Sequence, residues 1–121
     1  MEIVKNLHKS GVPILAGTDT PNPFTFPGFS LHEELALLVS AGFTPMEALQ
    51  CATRDSARFL NRATDFGTVE TGKFADLVLL EANPLDDIHN TTKISAVIMN
   101  GRLLRKTDLQ ELLSDAVKHT D

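Results

Sequence analysis

The sequence predicts an α/β chain built in two zones. A helix–strand–helix zone comes first, and a small β zone closed by a terminal helix follows. Three observations carry this expectation. A short apolar run, Val12 to Ala16, lies between a helical pattern and a proline-rich loop. Helix-start signals at Ser30 and Thr44 precede two further helical patterns. After Asn61 the pattern turns to short apolar runs bounded by turn residues, among them Asn100-Gly101.

The elements follow in order. Ile3, Val4 and Leu7 mark a short helix over 2–9 that ends at Gly11, a good C-cap residue. The run Val12-Pro13-Ile14-Leu15-Ala16 fits a strand buried on both faces, as in a parallel sheet. Residues 18–29 hold Pro21, Pro23 and Pro27, a density no helix survives, so a loop is expected at the strand's C-terminal end. Ser30-Leu31-His32-Glu33 reads as a capping box opening a helix that runs to Gly42. Thr44-Pro45-Met46-Glu47 reads as a second box, with proline where its missing N–H costs nothing. A further short helix is expected around Ser56 to Leu60. Gly67 and Gly72 bracket a short strand at Thr68-Val69. Ala75 to Leu80 reads as a buried strand, and Ile94 to Met99 as another. Asn100-Gly101 signals a hairpin into Arg102-Leu103-Leu104. Thr107 to Gln110 reads as a third box, before an apolar stripe of Leu109, Leu112, Leu113, Ala116 and Val117.

The chain has 121 residues and a formal net charge of -5. That charge disfavours a phosphate backbone, so no nucleic acid partner is expected. No apolar run reaches membrane-spanning length, and the first residues lack a signal-peptide layout, so the expected location is cytoplasmic. The lone cysteine, Cys51, excludes an intrachain disulfide and sits in an apolar helical pattern, where a small buried side chain is expected.

Candidates for chemistry are few. Asp19 follows the buried strand, where α/β folds place their sites. Its carboxylate could bind a metal ion or accept a proton, although the local pattern alone favours a turn-forming role. His32 and Glu33 are adjacent on a helix and so diverge around its axis. The capping box accounts for Glu33, and spacing alone favours a surface or packing role for His32. His8, His32, His89 and His119 are too scattered for two imidazoles to share a metal by local spacing. Asp76 reads as a strand-start carboxylate bonded to backbone N–H groups, and Asp86-Asp87 as an exposed turn.

Four blocks in register resemble the end of the amidohydrolase superfamily, in its imidazolonepropionase-like and dipeptidase-like subgroup. They are GVPILAGTD, LHEELALLVSAGFTPMEALQCATRDSARFL, GTVETGKFADLVLLEANPLDDI and ISAVIMNGRLL, within residues 3–105. The resemblance implies a fold: the last strand-helix unit of a (β/α)8 barrel over 1–62, part of a flanking β-sandwich over 63–106, and a C-terminal helix over 107–121. It implies that Asp19 is catalytic, ligating metal, commonly zinc, and taking a proton from the attacking water. It implies that His32 helps line the substrate site. The block from Gly72 to Leu77 corresponds to a structural signature of the sandwich. The family's His-x-His, bridging lysine and two later metal histidines are absent from this sequence, and a barrel needs about 250 residues.

Two functional readings follow. One is the C-terminal part of a metal-dependent hydrolase of carbon–nitrogen bonds, inactive without the missing ligands and completed by an N-terminal barrel chain. The other is a non-catalytic module that associates with itself or with a partner. The open edges of the Val12–Ala16 strand lead to an expected homo-oligomer.

Overall fold

A computed structural model describes residues 1–118. Five α-helices, one 3-10 segment and three strands follow one another: α1 (Glu2–Lys9), α2 (Ser30–Ser40), α3 (Pro45–Ala52), α4 (Arg54–Phe59), β1 (Leu77–Leu80), the 3-10 segment (Ile88–Thr92), β2 (Ile94–Met99), β3 (Arg102–Arg105) and α5 (Lys106–Lys118). His119, Thr120 and Asp121 lie outside the described residues, as does the side chain of Val117.

Three of the helices stop in the same way. After α1, the N–H of Gly11 bonds the carbonyl of His8 and that of Val12 bonds Leu7. After α2, Gly42 bonds Val39 and Phe43 bonds Leu38. After α4, Asn61 bonds Arg58 and Arg62 bonds Ala57. This paired closure needs one residue at positive φ just past the helix. Gly42 supplies it at φ 106, and asparagine, the next most tolerant residue, supplies it at Asn61 with φ 55. The chain reverses sharply at each stop. Leu35, Leu38, Ala41, Phe43, Ala48 and Cys51 thereby meet in one buried cluster, joined by Ile88 from the 3-10 segment.

The caps at the helix starts match the sequence expectation only in part. Thr44 forms the expected box: its hydroxyl accepts from the Glu47 N–H at 3.2 Å, and Glu47 Oε2 accepts from the Thr44 N–H at 2.7 Å. Ser30 does not cap. It is the first residue of α2, behind an N-cap at Phe29, and its hydroxyl instead accepts from the Phe26 N–H at 2.7 Å. The loop's own turn captures the serine before the helix can. The third start is shifted, because α5 begins at Lys106 and the Asp108 carboxylate reaches back to the Arg105 N–H at 2.8 Å.

The expected strand at 12–16 is a second correction. This stretch is extended but pairs with no strand among the described residues. Its backbone is tied to the helices at both ends, by the Val12 N–H to the Leu7 carbonyl at 3.1 Å and by a longer bond from the Ala16 N–H to the Cys51 carbonyl at 3.4 Å. Ile14 and Ala16 pack against the helical core, while Val12 is exposed. A strand is a pairing, so an apolar run without ladder partners remains an extended segment. Thr68-Val69 forms no strand either, and Val69 is 82% exposed.

The three strands form an antiparallel sheet in the order β1-β2-β3. Val97 stands opposite Val78 on one side and Leu104 on the other. A register shift falls between Leu79 and Leu80. The β2–β3 turn uses Asn100 at φ 50 and Gly101 at φ 77, the positive pair that a two-residue hairpin requires. Asp76 accepts from the Asn100 N–H at 2.5 Å, as its strand-start position suggested. The first strand is shorter than the apolar run and is not buried on both faces: Val78 is 56% and Leu79 45% exposed. α5 packs against β2 and β3, leaving Leu112 and Leu113 of the expected stripe exposed.

Candidate functional site

The extended segment 12–17 delivers the chain to Asp19 along the flank of the helical core. Glu34 of α2 holds that segment's end, its carboxylate accepting from the Gly17 N–H at 3.4 Å. Asp19 itself is exposed and sits at φ 53, in the left-handed region that a non-glycine residue enters at some cost. Its carboxylate oxygen Oδ2 accepts from Asn22 Nδ2 at 2.5 Å, and its carbonyl accepts from the Asn22 N–H at 3.2 Å. Thr18 and Thr20 join hydroxyls beside it at 2.9 Å. The loop therefore holds one carboxylate outward, with Asn22 as its polar partner.

His32 occupies the first turn of α2 and is half-buried. Its Nδ1 lies 3.0 Å from the hydroxyl of Thr91, a buried residue of the 3-10 segment. An open cavity of about 380 Å³ lies between α2 and that segment, lined by His32, Glu33, Leu37 and His89 among others. Asp87 caps the 3-10 segment by accepting from the His89 N–H at 3.0 Å. That bond, followed by the one to the His89 ring, holds the Asp87 carboxyl below its ordinary value.

Asp19 and His32 share no hydrogen bond among the described residues, and Asp19 does not line the cavity of His32. No group of three His, Cys, Asp or Glu side chains converges on one point among the described residues. A catalytic metal site usually takes three protein ligands, so the residues present do not by themselves fit one. Cys51 is buried, and burial pushes its thiol up, away from the thiolate a nucleophile needs. No helix among the described residues is long and apolar enough to cross a membrane.

Sequence reasoning missed Thr91. Its link to His32 spans 59 residues, and no local spacing announces it. The available signal is the cap: Asp86 and Asp87 are exposed at a turn, as expected, and Asp87 also opens the 3-10 segment by accepting from the His89 N–H.

Comparison with known proteins agrees on one family. Residues 1–104 match the amidohydrolase family. The chain is 36% identical over 115 residues to the imidazolonepropionase of Shouchella clausii, covering 84% of this chain and 25% of that one. Among solved structures, a Xaa-Pro dipeptidase with methionine bound in its active site superposes with a TM-score of 0.77 at 31% identity, over 85% of this chain and 25% of that one. Phenylurea hydrolase B gives a TM-score of 0.76 at 32% identity, over 86% and 26%. The chain thus spans about a quarter of the length of the curated relatives it matches.

Proposed function

The chain belongs to the amidohydrolase family, and from that premise we propose that it is the C-terminal part of a hydrolase acting on carbon–nitrogen bonds. Amidohydrolases are generally metal-dependent. The observation that carries the reading is the placement of Asp19, raised on a loop directly after the extended segment within the family match. Its role is to add one carboxylate to a site whose other ligands lie outside residues 1–118, with zinc the expected metal. His32 lines the substrate side through the cavity beside α2. By itself the chain is inactive, because one carboxylate cannot complete the ligand set.

The test is complementation. The chain is mixed with an amidohydrolase truncated just before its matching segment, and amide, lactam and dipeptide substrates are screened with and without added zinc. Hydrolysis is expected in the mixture, and its loss with Asp19→Asn. Equal turnover with Asp19→Asn would overturn the role of Asp19. Turnover by the chain alone would overturn the claim of inactivity.

A second reading is favoured by the exposed apolar side chains: the fold serves as a self-associating or partner-binding module. Phe24 is 91% exposed, Phe59 74% and Leu60 66%. Apolar area of this kind is unusual on a monomer and is covered by another copy or by a barrel chain.

A further inference from the structure

A neutral imidazole carries one N–H and one bare nitrogen, and the partner of each nitrogen decides which is which. His32 Nδ1 lies 3.0 Å from the Thr91 hydroxyl oxygen, and that same oxygen lies 2.9 Å from the backbone carbonyl oxygen of Ile88. The hydroxyl has a single proton. A carbonyl can only accept, so the proton must lie on the Ile88 contact. Placed on the histidine contact instead, it would leave two oxygen lone pairs facing each other at a buried position. Thr91 is 5% exposed and Ile88 3%, so bulk water offers the hydroxyl little alternative. The hydroxyl therefore accepts from the ring, and the ring donates from Nδ1.

We infer that Thr91 is a positioning residue: it holds His32 as the Nδ1–H tautomer and leaves Nε2 as the ring's only acceptor nitrogen. The holder is itself well fixed. Asp87 caps its 3-10 segment, and the Asn90 side chain donates to the Asn83 carbonyl at 2.8 Å. Ile88 packs into the cluster that contains Leu35 and Leu38 of α2, so both ends of the contact ride on one core. The chemical consequence rests on the proposed substrate role of His32. A neutral ring so held meets a proton donor at Nε2, such as an amide N–H or a hydroxyl, and rejects a group that can only accept.

The experiment is a long-range proton–nitrogen correlation spectrum of the nitrogen-15-labelled 121-residue chain. It is recorded at about pH 8.5, so that the ring is read in its neutral form. His32→Gln assigns the signals. The expected pattern is a protonated Nδ1 and a bare Nε2. A protonated Nε2 in the unaltered chain overturns the inference. Thr91→Ser keeps the pattern, whereas Thr91→Val moves the ring toward the Nε2–H form. An unchanged tautomer in a folded Thr91→Val variant overturns the role of Thr91. If that variant does not fold, the unaltered chain and Thr91→Ser still decide. No turnover is needed for this readout, so a chain inactive in every hydrolysis screen leaves it standing. A confirmed tautomer together with full complemented activity in His32→Gln would remove only the substrate role.

Discussion

Replacing Gly67 by alanine tests how the helical zone is joined to the β zone. Gly67 has φ 93, and a Cβ added there would lie 2.7 Å from Ala57 Cβ, 3.0 Å from Arg54 Cα and 3.1 Å from the Thr53 carbonyl oxygen. None of these is the end of a flexible side chain. Two are backbone atoms at the start of α4, and the third is a methyl group that is 6% exposed. The loop must therefore move off α4, or the helix must shift. Positive φ costs an L-residue about 1–2 kcal/mol, and overpacking adds about 1–3 kcal/mol, so a loss of about 2–5 kcal/mol is expected. Gly101→Ala separates the two effects, because Gly101 has φ 77 with nothing within 4 Å of an added Cβ. Urea denaturation followed by circular dichroism gives both midpoints. The difference between the variants isolates the steric part, about 1–3 kcal/mol. Equal midpoints for Gly67→Ala and Gly101→Ala would refute the argument, since they would mean that the loop yields without resistance.

Other outcomes follow from the same structure. The Thr44 N–H, and then its hydroxyl, hold the Glu47 carboxyl below its ordinary value. The stabilisation is complete above the unfolded pKa and fades as pH falls through the folded one, so denaturation midpoints should be level above about pH 5 and drop in acid. Glu47→Gln should lower the midpoint near neutral pH and make the acid drop shallower; an identical pH profile in that variant would contradict this. Asp19→Ala should change stability by no more than about 1 kcal/mol, because its only side-chain partner among the described residues is exposed Asn22. A large fall in melting temperature would reveal a structural duty for Asp19. Light scattering at micromolar concentration should give a mass above the 13.2 kDa of one chain, and a single species at that mass would end the self-association reading.

The legible parts of the fold are those whose causes are local. Proline at position 45 after Thr44, with Glu47 two residues on, specifies a helix start through bonds made inside four residues, and the structure contains them. Asn100-Gly101 specifies a hairpin because both residues tolerate positive φ. Ser30 has the same spacing to a glutamate as Thr44, without the proline, and does not cap. The difference lies upstream, where the Phe26 N–H competes for its hydroxyl inside the loop turn. The segment 12–16 shows the opposite limit. Its apolar run states only that both faces want covering, and Ile14 and Ala16 meet that demand against helices. Periodicity cannot distinguish a helix wall from a neighbouring strand as the cover.

The candidate site divides along the same line. Asp19 stood out because a short apolar run leads directly into it, and its outward placement on the loop is a local consequence of that order. What holds His32 could not be read, because the Thr91 hydroxyl that decides its protonation is brought to it by packing. Leu35 and Leu38 sit one and two turns along α2 from His32, and Ile88 sits one turn before Thr91. When these apolar residues close on one another, the polar pair closes with them. Leu35 and Leu38 lie in a helical pattern that the sequence shows, but nothing local marks Ile88 as their partner, so the docking of α2 on this segment is a product of the folded chain. So is the tautomer, because it depends on a hydroxyl having one proton and two neighbours at 2.9 and 3.0 Å. Chemistry of this kind is set by distances that only the folded chain supplies.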